Sequence, residues 1–461
     1  MDFVNAIKRI CARDATLFSA DEQTQAEISE RLGWVNLPEK SIALLPLLDE
    51  LAAEADARDI RDIVLLGMGG SSLAPLVFAQ TGVTLPFEAA TALMPTRTLH
   101  VLDTTCPDDV RAVDAAIDYA HTLFIVSSKS GTTIETTALE SYFWTRAQAE
   151  LGGADTAATH FIAITDPGTP LAERAGQRGY RTLLAPPDVG GRFSALSIFG
   201  LAPCALIGLD YRVLVAEAFT TQHMCQEAKN NPAATRALLI YEGWKNSGPF
   251  LPLADAPLAL WIEQLIAESL GKEGRGIIPV ATPVPQSCPN AAHEMIVWQW
   301  TVALLGVAMG INPFDQPDVA STKEATLATL SGTQRIDTTQ LLSVDAALET
   351  LQPNDYVCVL AFVNEQEYAQ LAETYIPELR ARAGVPVLLQ RGPRYLHSTG
   401  QLYKGGPNNG VFLVKSSDVH TEHTPDIELP DADYTLRELF NAQRDGDIVA
   451  LLARGRRVAL V

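Results

Sequence analysis

The chain has 461 residues and 49.7 kDa, room for about three domains or two large ones. Apolar residues make up 47% and charged residues 19%, which excludes wholesale disorder and allows a large core. Basic residues number 34 and acidic residues 55, a formal charge of −21 that argues against nucleic acid or membrane as the main partner. A small anionic substrate stays compatible, because a local pocket can override the global field. Six cysteines (Cys11, Cys106, Cys204, Cys225, Cys288, Cys358) show no CxxC spacing and read as buried thiols of a reducing compartment, without disulfides or structural zinc.

In chain order, Met1–Leu32 alternates charges with short apolar steps, unlike a secretory signal. Asp21–Leu32 and Ile42–Ala55 carry apolar residues at helical spacing, so residues 1–55 are predicted as a helical N-terminal segment. Short apolar runs follow at Asp62–Leu66, Thr98–Leu102, Thr122–Val126, His160–Thr165 and Tyr180–Leu184. Most run into Gly, Ser, Asp or Pro, and helical stretches lie between them, notably Thr132–Leu151. That alternation predicts a parallel sheet covered by helices. Tyr211–Gln264 reads as mostly helical, and Gly276–Val280 as a further short strand. Met295–Phe314 runs 20 residues without a charge, but it contains Gln299, Thr301, Asn312 and Pro313 and lacks a basic flank. It is predicted as a buried helix of a soluble core, and the protein is placed in the cytoplasm. Strands return at Tyr356–Phe362, Pro386–Leu389 and Val411–Val414, with a helix at Glu365–Ala383. The expected class is α/β: a helical segment 1–55, a first domain 56–228, and a second domain 229–461 with a C-terminal extension.

The candidate sites lie at the ends of these elements. Leu65-Leu66-Gly67-Met68-Gly69-Gly70-Ser71-Ser72 takes a strand through glycines into a helix, where backbone N–H groups favour an anion. Ser72 replaces the third glycine of a dinucleotide fingerprint, and a tight turn is the alternative reading. Ser127-Ser128-Lys129-Ser130-Gly131-Thr132-Thr133-Ile134-Glu135-Thr136 packs six hydroxyls and one ammonium into ten residues, suited to a phosphate monoester. Thr132 and Glu135 have capping-box spacing, and a capped polar loop is the alternative. In Asp188-Val189-Gly190-Gly191-Arg192-Phe193-Ser194, Arg192 stands where a guanidinium either stabilises an oxyanion or pairs with Asp188.

Further along, Trp261, Leu265 and Glu268 share a helical face, so Glu268 sits on the apolar side and Glu263 does not. Such a carboxylate is either paired or raised in pKa, as a general base requires; helix-end capping is the alternative. In Phe314-Asp315-Gln316-Pro317-Asp318-Val319-Ala320-Ser321-Thr322-Lys323-Glu324, Ser321 and Glu324 again have capping-box spacing. They put Lys323 in a first helical turn, where a ligand or, on pattern alone, solvent compensates its charge. His397 lies past a strand end in the polar, Gly-rich stretch 395–406, whereas His420 and His423 read as solvated in an acidic loop.

Together, "GMGGSSLAP", "SSKSGTTIET", "DVGGRFSALSIFG" and "INPFDQPDVASTK" resemble the phosphoglucose isomerase family over roughly residues 60–415. The resemblance implies two sugar-isomerase (SIS-type) domains, each a mainly parallel sheet flanked by helices. It implies reversible glucose 6-phosphate to fructose 6-phosphate isomerisation through a cis-enediolate, without cofactor or metal. It assigns the phosphate loop to Ser128, Lys129, Ser130 and Thr133 and the sugar-contacting turn to Gly70 and Ser71. It makes Arg192 the enediolate-stabilising arginine and Glu268 the base, with Leu270 in place of the family's usual Asn two residues on. Gln316 and Lys323 match the family's Gln and Lys seven residues apart, and His397 matches its ring-opening histidine through Gln401, Leu402 and Gly406.

The order Glu–Lys–His departs from the family's Glu–His–Lys and is similar to the variant isomerase domain found fused to transaldolase. That likeness implies a functional link to transaldolase. The family resemblance also implies a homodimer whose histidine reaches the neighbouring site; the altered position of His397 leaves completion within one chain open. An isomerase that also accepts mannose 6-phosphate and a non-catalytic sugar-phosphate-binding module are the alternative functions.

Overall fold

A computed structural model describes residues 3–84, 92–285, 290–417 and 426–461; Cys288, His420 and His423 lie outside the described residues. The chain opens with helices α1 (Val4–Cys11), α2 (Glu22–Ser29), α3 (Leu37–Ile42) and α4 (Leu45–Ala57). Asp21 starts α2 by accepting the Thr24 N–H.

The first sheet follows. Its strands are β1 (Asp62–Gly67), β4 (Thr98–Leu102), β5 (Thr122–Ser127), β6 (Phe161–Thr165) and β7 (Arg181–Leu184). A two-stranded antiparallel pair, β2 (Val83–Thr84) and β3 (Ala92–Leu93), stands apart from it. Helices α5 (Leu73–Thr81), α6 (Pro107–Ala116), α7 (Ile134–Leu151), α8 (Ala154–Ala158) and α9 (Pro170–Arg178) connect the strands. The five strands run parallel in the order β4-β1-β5-β6-β7. Every residue of β5 is buried, which is why it reads as an unbroken apolar run rather than an alternation.

A helical middle follows: α10 (Ile198–Leu206), α11 (Tyr211–Gln226), α12 (Pro232–Ser247), α13 (Pro257–Leu270), α14 (Ala291–Met309), α15 (Val319–Leu330) and α16 (Val344–Glu349). Two strands, β8 (Phe250–Asp255) and β9 (Ile278–Pro285), pair in parallel within it. The stretch Tyr211–Gln264 is therefore not helical throughout: β8 interrupts it, and β9 extends the short strand expected near Gly276–Val280. The expected helix Met295–Phe314 is found only as far as Met309, within α14, where Gly310 ends the helix in a left-handed cap; α14 is buried nearly all round against α11, α12 and α13. Among the described residues no helix is long and apolar enough to cross a membrane.

The second sheet is built from β10 (Tyr356–Phe362), β11 (Val387–Arg391), β12 (Gly410–Ser416) and β13 (Arg457–Leu460). Helices α17 (Glu365–Gln370), α18 (Ile376–Ala383), α19 (Gly400–Gly405) and α20 (Leu436–Ala453) flank it. The strands are parallel in the order β11-β10-β12-β13. The last strand, only four residues long, is absent from the sequence expectation because so short an apolar run carries little periodicity. The expected helix Glu365–Ala383 is broken by a π-helical turn at Leu371–Tyr375. In each sheet the chain leaves its first strand, β1 or β10, to one side and returns on the other. Such a reversal opens a crevice beyond the carboxyl ends of the strands.

One buried cluster fastens the second sheet's helices together. Asp447 of α20 accepts from Lys404 Nζ of α19 at 2.6 Å, from the Tyr395 hydroxyl at 2.5 Å and from Thr322 Oγ1 of α15 at 3.3 Å. Neither member of the Lys404–Asp447 pair is reached by solvent. Replacing Asp447 by Ala would leave a buried ammonium unpaired, and is expected to cost about 3–5 kcal/mol. A urea midpoint shift worth less than about 1 kcal/mol at unchanged slope would show that the cluster does not hold the helices together.

Candidate active site

A cleft of about 650 Å³ lies between the loops at the ends of the first sheet's strands, α13, the start of α15 and the loop after β11. Gly70, Ser71, Lys129, Ser130, Thr133, Arg192, Glu268, Gln316, Lys323 and His397 all line it. Ser128 sits just behind, its Oγ 2.9 Å from Thr133 Oγ1.

The glycine turn after β1 acts first through space. Gly69 has φ +54, and a methyl group there would meet the His397 carbonyl oxygen at 2.4 Å and Gln264 Nε2 at 2.8 Å. A methyl group on Gly70 would meet the Gly191 backbone at 2.4 Å. The paired glycines let the loops carrying Arg192 and His397 close onto one point.

Residues 128–133 form the second wall. The Gly131 N–H donates to Ser128 Oγ at 3.1 Å, and Ser130 Oγ lies 3.0 Å from Thr132 Oγ1. Thr133 is the N-cap residue of α7 and makes no side-chain cap, so the Thr132–Glu135 capping box does not form. Lys129 is not an uncommitted ammonium. Its Nζ donates to Asp166 Oδ2 at 2.5 Å and to the Pro186 carbonyl at 3.3 Å. Burial pushes its pKa down against the pull of Asp166, whose own carboxyl is pushed up by burial.

Glu135, freed from capping, does something else. His397 Nε2 lies 2.7 Å from Glu135 Oε1, which also accepts from Gln443 of α20. Burial opposes the histidine's charge, but the Glu135 carboxylate outweighs it and holds the pKa above the ordinary value; Glu135 is held below its own.

Arg192 is 4% exposed and does not pair with Asp188. Its Nε donates to Ser269 Oγ at 2.7 Å, its Nη1 to Gln316 Oε1 at 2.9 Å, and its Nη2 to the carbonyls of Pro313 and Asp315 at 2.7 and 3.0 Å. Its Nη1 stands 3.4 Å from Glu268 Oε1. The side chain of Glu268 is 14% exposed and accepts from Gln264 Nε2 at 3.1 Å; the same Gln264 amide donates to the His397 carbonyl at 2.9 Å. The carboxylate is thus paired, with Arg192 on one side and Gln264 on the other.

Two expectations fail here. Helix α13 is buried on all sides, so Glu263 is buried as well; burial pushes its carboxyl up to about 7 despite a hydrogen bond from Gln390. Helix α15 begins at Val319, with Asp318 as N-cap and no side-chain cap, so Ser321 and Glu324 form no box. Lys323 is in the second turn rather than the first, exposed on the cleft without a hydrogen bond or ion pair among the described residues. Sequence reasoning also missed Gln264, Gln443 and Asp166, which act through contacts far along the chain. Lys272 is buried and donates to Asp315 Oδ1 at 2.5 Å and to the Asp315 and Asn312 carbonyls; burial pushes it down to about 8.

Chemically, the arrangement sets a paired carboxylate beside a fixed guanidinium, an imidazole held by an acid, and a hydroxyl-lined helix start around one volume. That is the equipment for proton transfer at a carbon next to an oxyanion.

Residues 52–246 match the family described as phosphoglucose isomerase. The glucose-6-phosphate isomerase of Carboxydothermus hydrogenoformans is 33% identical over 282 residues, 58% of this chain and 59% of that protein. A glucose-6-phosphate isomerase of Thermus thermophilus is 31% identical over 283 residues, 59% of this chain and 63% of that protein. The matched stretch thus spans less than two thirds of these relatives' length. A crystal structure of a glucose-6-phosphate isomerase from Chlamydia trachomatis covers 73% of this chain and 85% of its own, at 19% identity and a TM-score of 0.54, a likeness of fold.

The His397–Glu135 pair predicts a pH dependence of stability. The raised histidine contributes fully below the ordinary imidazole value of 6.5, and that contribution fades as pH rises through its folded pKa. The lowered carboxylate contributes above its ordinary 4.5 and loses it as pH falls through its folded pKa. The stability gap between wild type and His397→Gln should therefore be widest between these values and narrow on either side. A gap that grows with alkaline pH in urea titrations would contradict the pairing.

Proposed function

We propose that this chain, matched over residues 52–246 by the phosphoglucose isomerase family and about one third identical to two glucose-6-phosphate isomerases over part of their length, is a member of that family and an aldose–ketose isomerase interconverting glucose 6-phosphate and fructose 6-phosphate. The observation that carries the reading is Glu268, fastened by Arg192 and Gln264 on the wall of a cleft that also holds the His397–Glu135 pair and the hydroxyl loop.

His397, whose charged form Glu135 favours, donates a proton to the ring oxygen with Lys323 beside it; the bond from that oxygen to C1 breaks as the C1 hydroxyl gives up its proton to water, and the sugar opens. Glu268 takes the proton from C2 and returns it to C1. The negative charge that develops on the enediolate oxygens falls beside Arg192, whose position is set before the substrate arrives. The loop 128–133 anchors the phosphate and orients the reacting carbons. Gly70 and Ser71 contact the sugar, and Gln316 keeps Arg192 facing the cleft. The reading places the reaction in the cytoplasm. It includes the two-domain division at residue 228 and the functional link to transaldolase. Homodimerisation belongs to it as well, although every group named here comes from one chain.

Arg192 also satisfies two buried carbonyls, so its removal would cost stability and activity together. Glu268 gives the cleaner test. In a coupled assay with fructose 6-phosphate, Glu268→Gln should lower kcat by about 10²–10⁴ with KM little changed. A mutant close to wild-type kcat would remove Glu268 from the role. Turnover of mannose 6-phosphate by the wild type would widen the substrate range, and binding without turnover of any of the three would leave a sugar-phosphate-binding module.

A further inference from the structure

Arg31 is absorbed by none of the motifs, yet it lines the cleft. It is half-buried just beyond the end of α2, and its backbone is fastened to the Arg192 loop. Leu32 bridges Val189 in antiparallel fashion, and the Gly33 N–H donates to the Asp188 carbonyl at 2.8 Å. Trp34 packs its ring on Phe193 with centroids 5.3 Å apart. Arg31 lies close enough for its charge to act on Lys129 and Asp166 behind the hydroxyl loop and on Arg192.

Among the described residues the Arg31 side chain makes no hydrogen bond or ion pair. The acids near it are paired with other cations: Asp166 through Oδ2 with Lys129 at 2.5 Å, its Oδ1 being buried without a hydrogen bond, and Asp188 with Lys40 at 3.2 Å and Arg13 at 3.5 Å. The charge balance of the loop itself is thus near neutral, since Lys129 and Asp166 offset each other. A dianion entering there meets hydroxyls and backbone N–H groups but needs a cation without a carboxylate of its own. A guanidinium supplies it in a fork that matches phosphate oxygens.

We propose that Arg31 is a phosphate-binding residue, holding the phosphate monoester of the substrate together with the hydroxyls of Ser130, Thr132 and Thr133. This rests on the isomerase reading above and names the charge on which its phosphate recognition depends.

The test compares wild type, Arg31→Met and Arg31→Lys. For Arg31→Met, KM for fructose 6-phosphate and the inhibition constant of inorganic phosphate should both rise about 10- to 100-fold, with kcat and the melting temperature little changed. Arg31→Lys should recover part of the loss, because it restores charge without the fork. Unchanged KM and phosphate inhibition in Arg31→Met would overturn the inference, as would a loss of kcat at constant KM. A lowered melting temperature in Arg31→Met with normal phosphate inhibition in Arg31→Lys would assign Arg31 a structural role and overturn it too. If the wild type isomerises nothing, the functional reading falls by itself. Calorimetric titration with inorganic phosphate then still decides Arg31: weaker binding by Arg31→Met supports it, and equal binding refutes it.

Discussion

The cleft depends on one buried cation. Arg192 makes four hydrogen bonds, to Ser269, Gln316 and the carbonyls of Pro313 and Asp315, and keeps an edge 3.4 Å from Glu268. Three separate stretches of chain therefore share one guanidinium: the loop after the first sheet, the end of α13, and the turn before α15. Lys272 grips the same Asp315 carbonyl from the other side. Desolvating two cations so close together is costly, and only the density of acceptors around them offsets it. Rigidity at Glu268 follows: its carboxylate cannot rotate away without breaking contacts on two sides.

Charge is organised against the average. The chain as a whole carries −21, yet Arg31, Lys129, Arg192, Lys323 and His397 converge on one cavity. Lys129, Arg192 and His397 already face Asp166, Glu268 and Glu135. Such internal pairing lets a low-dielectric site hold several ions before any ligand arrives. The unpaired remainder sits at the two ends, Arg31 near the hydroxyl loop and Lys323 near the His397–Glu135 pair. An anionic ligand approaching an acidic surface would be drawn in only at this local reversal of field.

Much of this is legible in the chain. β4 (Thr98–Leu102) and β10 (Tyr356–Phe362) have the bounds expected from their apolar runs, and the other expected strands of the two sheets shift by one or two residues. Buried parallel strands announce themselves as apolar blocks, so local composition suffices for them. What escapes is carried by distance along the chain. Glu135 looks like a helix cap at short range, and only the fold brings it to His397, 262 residues away. Glu263 looks solvated on a helical wheel, and only packing on every side of α13 buries it. Both capping boxes are correct as patterns and wrong as structure, because a tertiary partner or an earlier helix start takes the residues first. Arg31 carries no pattern at all; its interest comes from the acids near it being already engaged.

The altered order of the motifs has an outcome of its own. Glu268, Arg192, His397 and the hydroxyl loop all line one cleft of a single polypeptide, and the Glu135–His397 pair there joins residues 262 positions apart. Their meeting is an intramolecular event, governed by folding rather than by mass action between subunits.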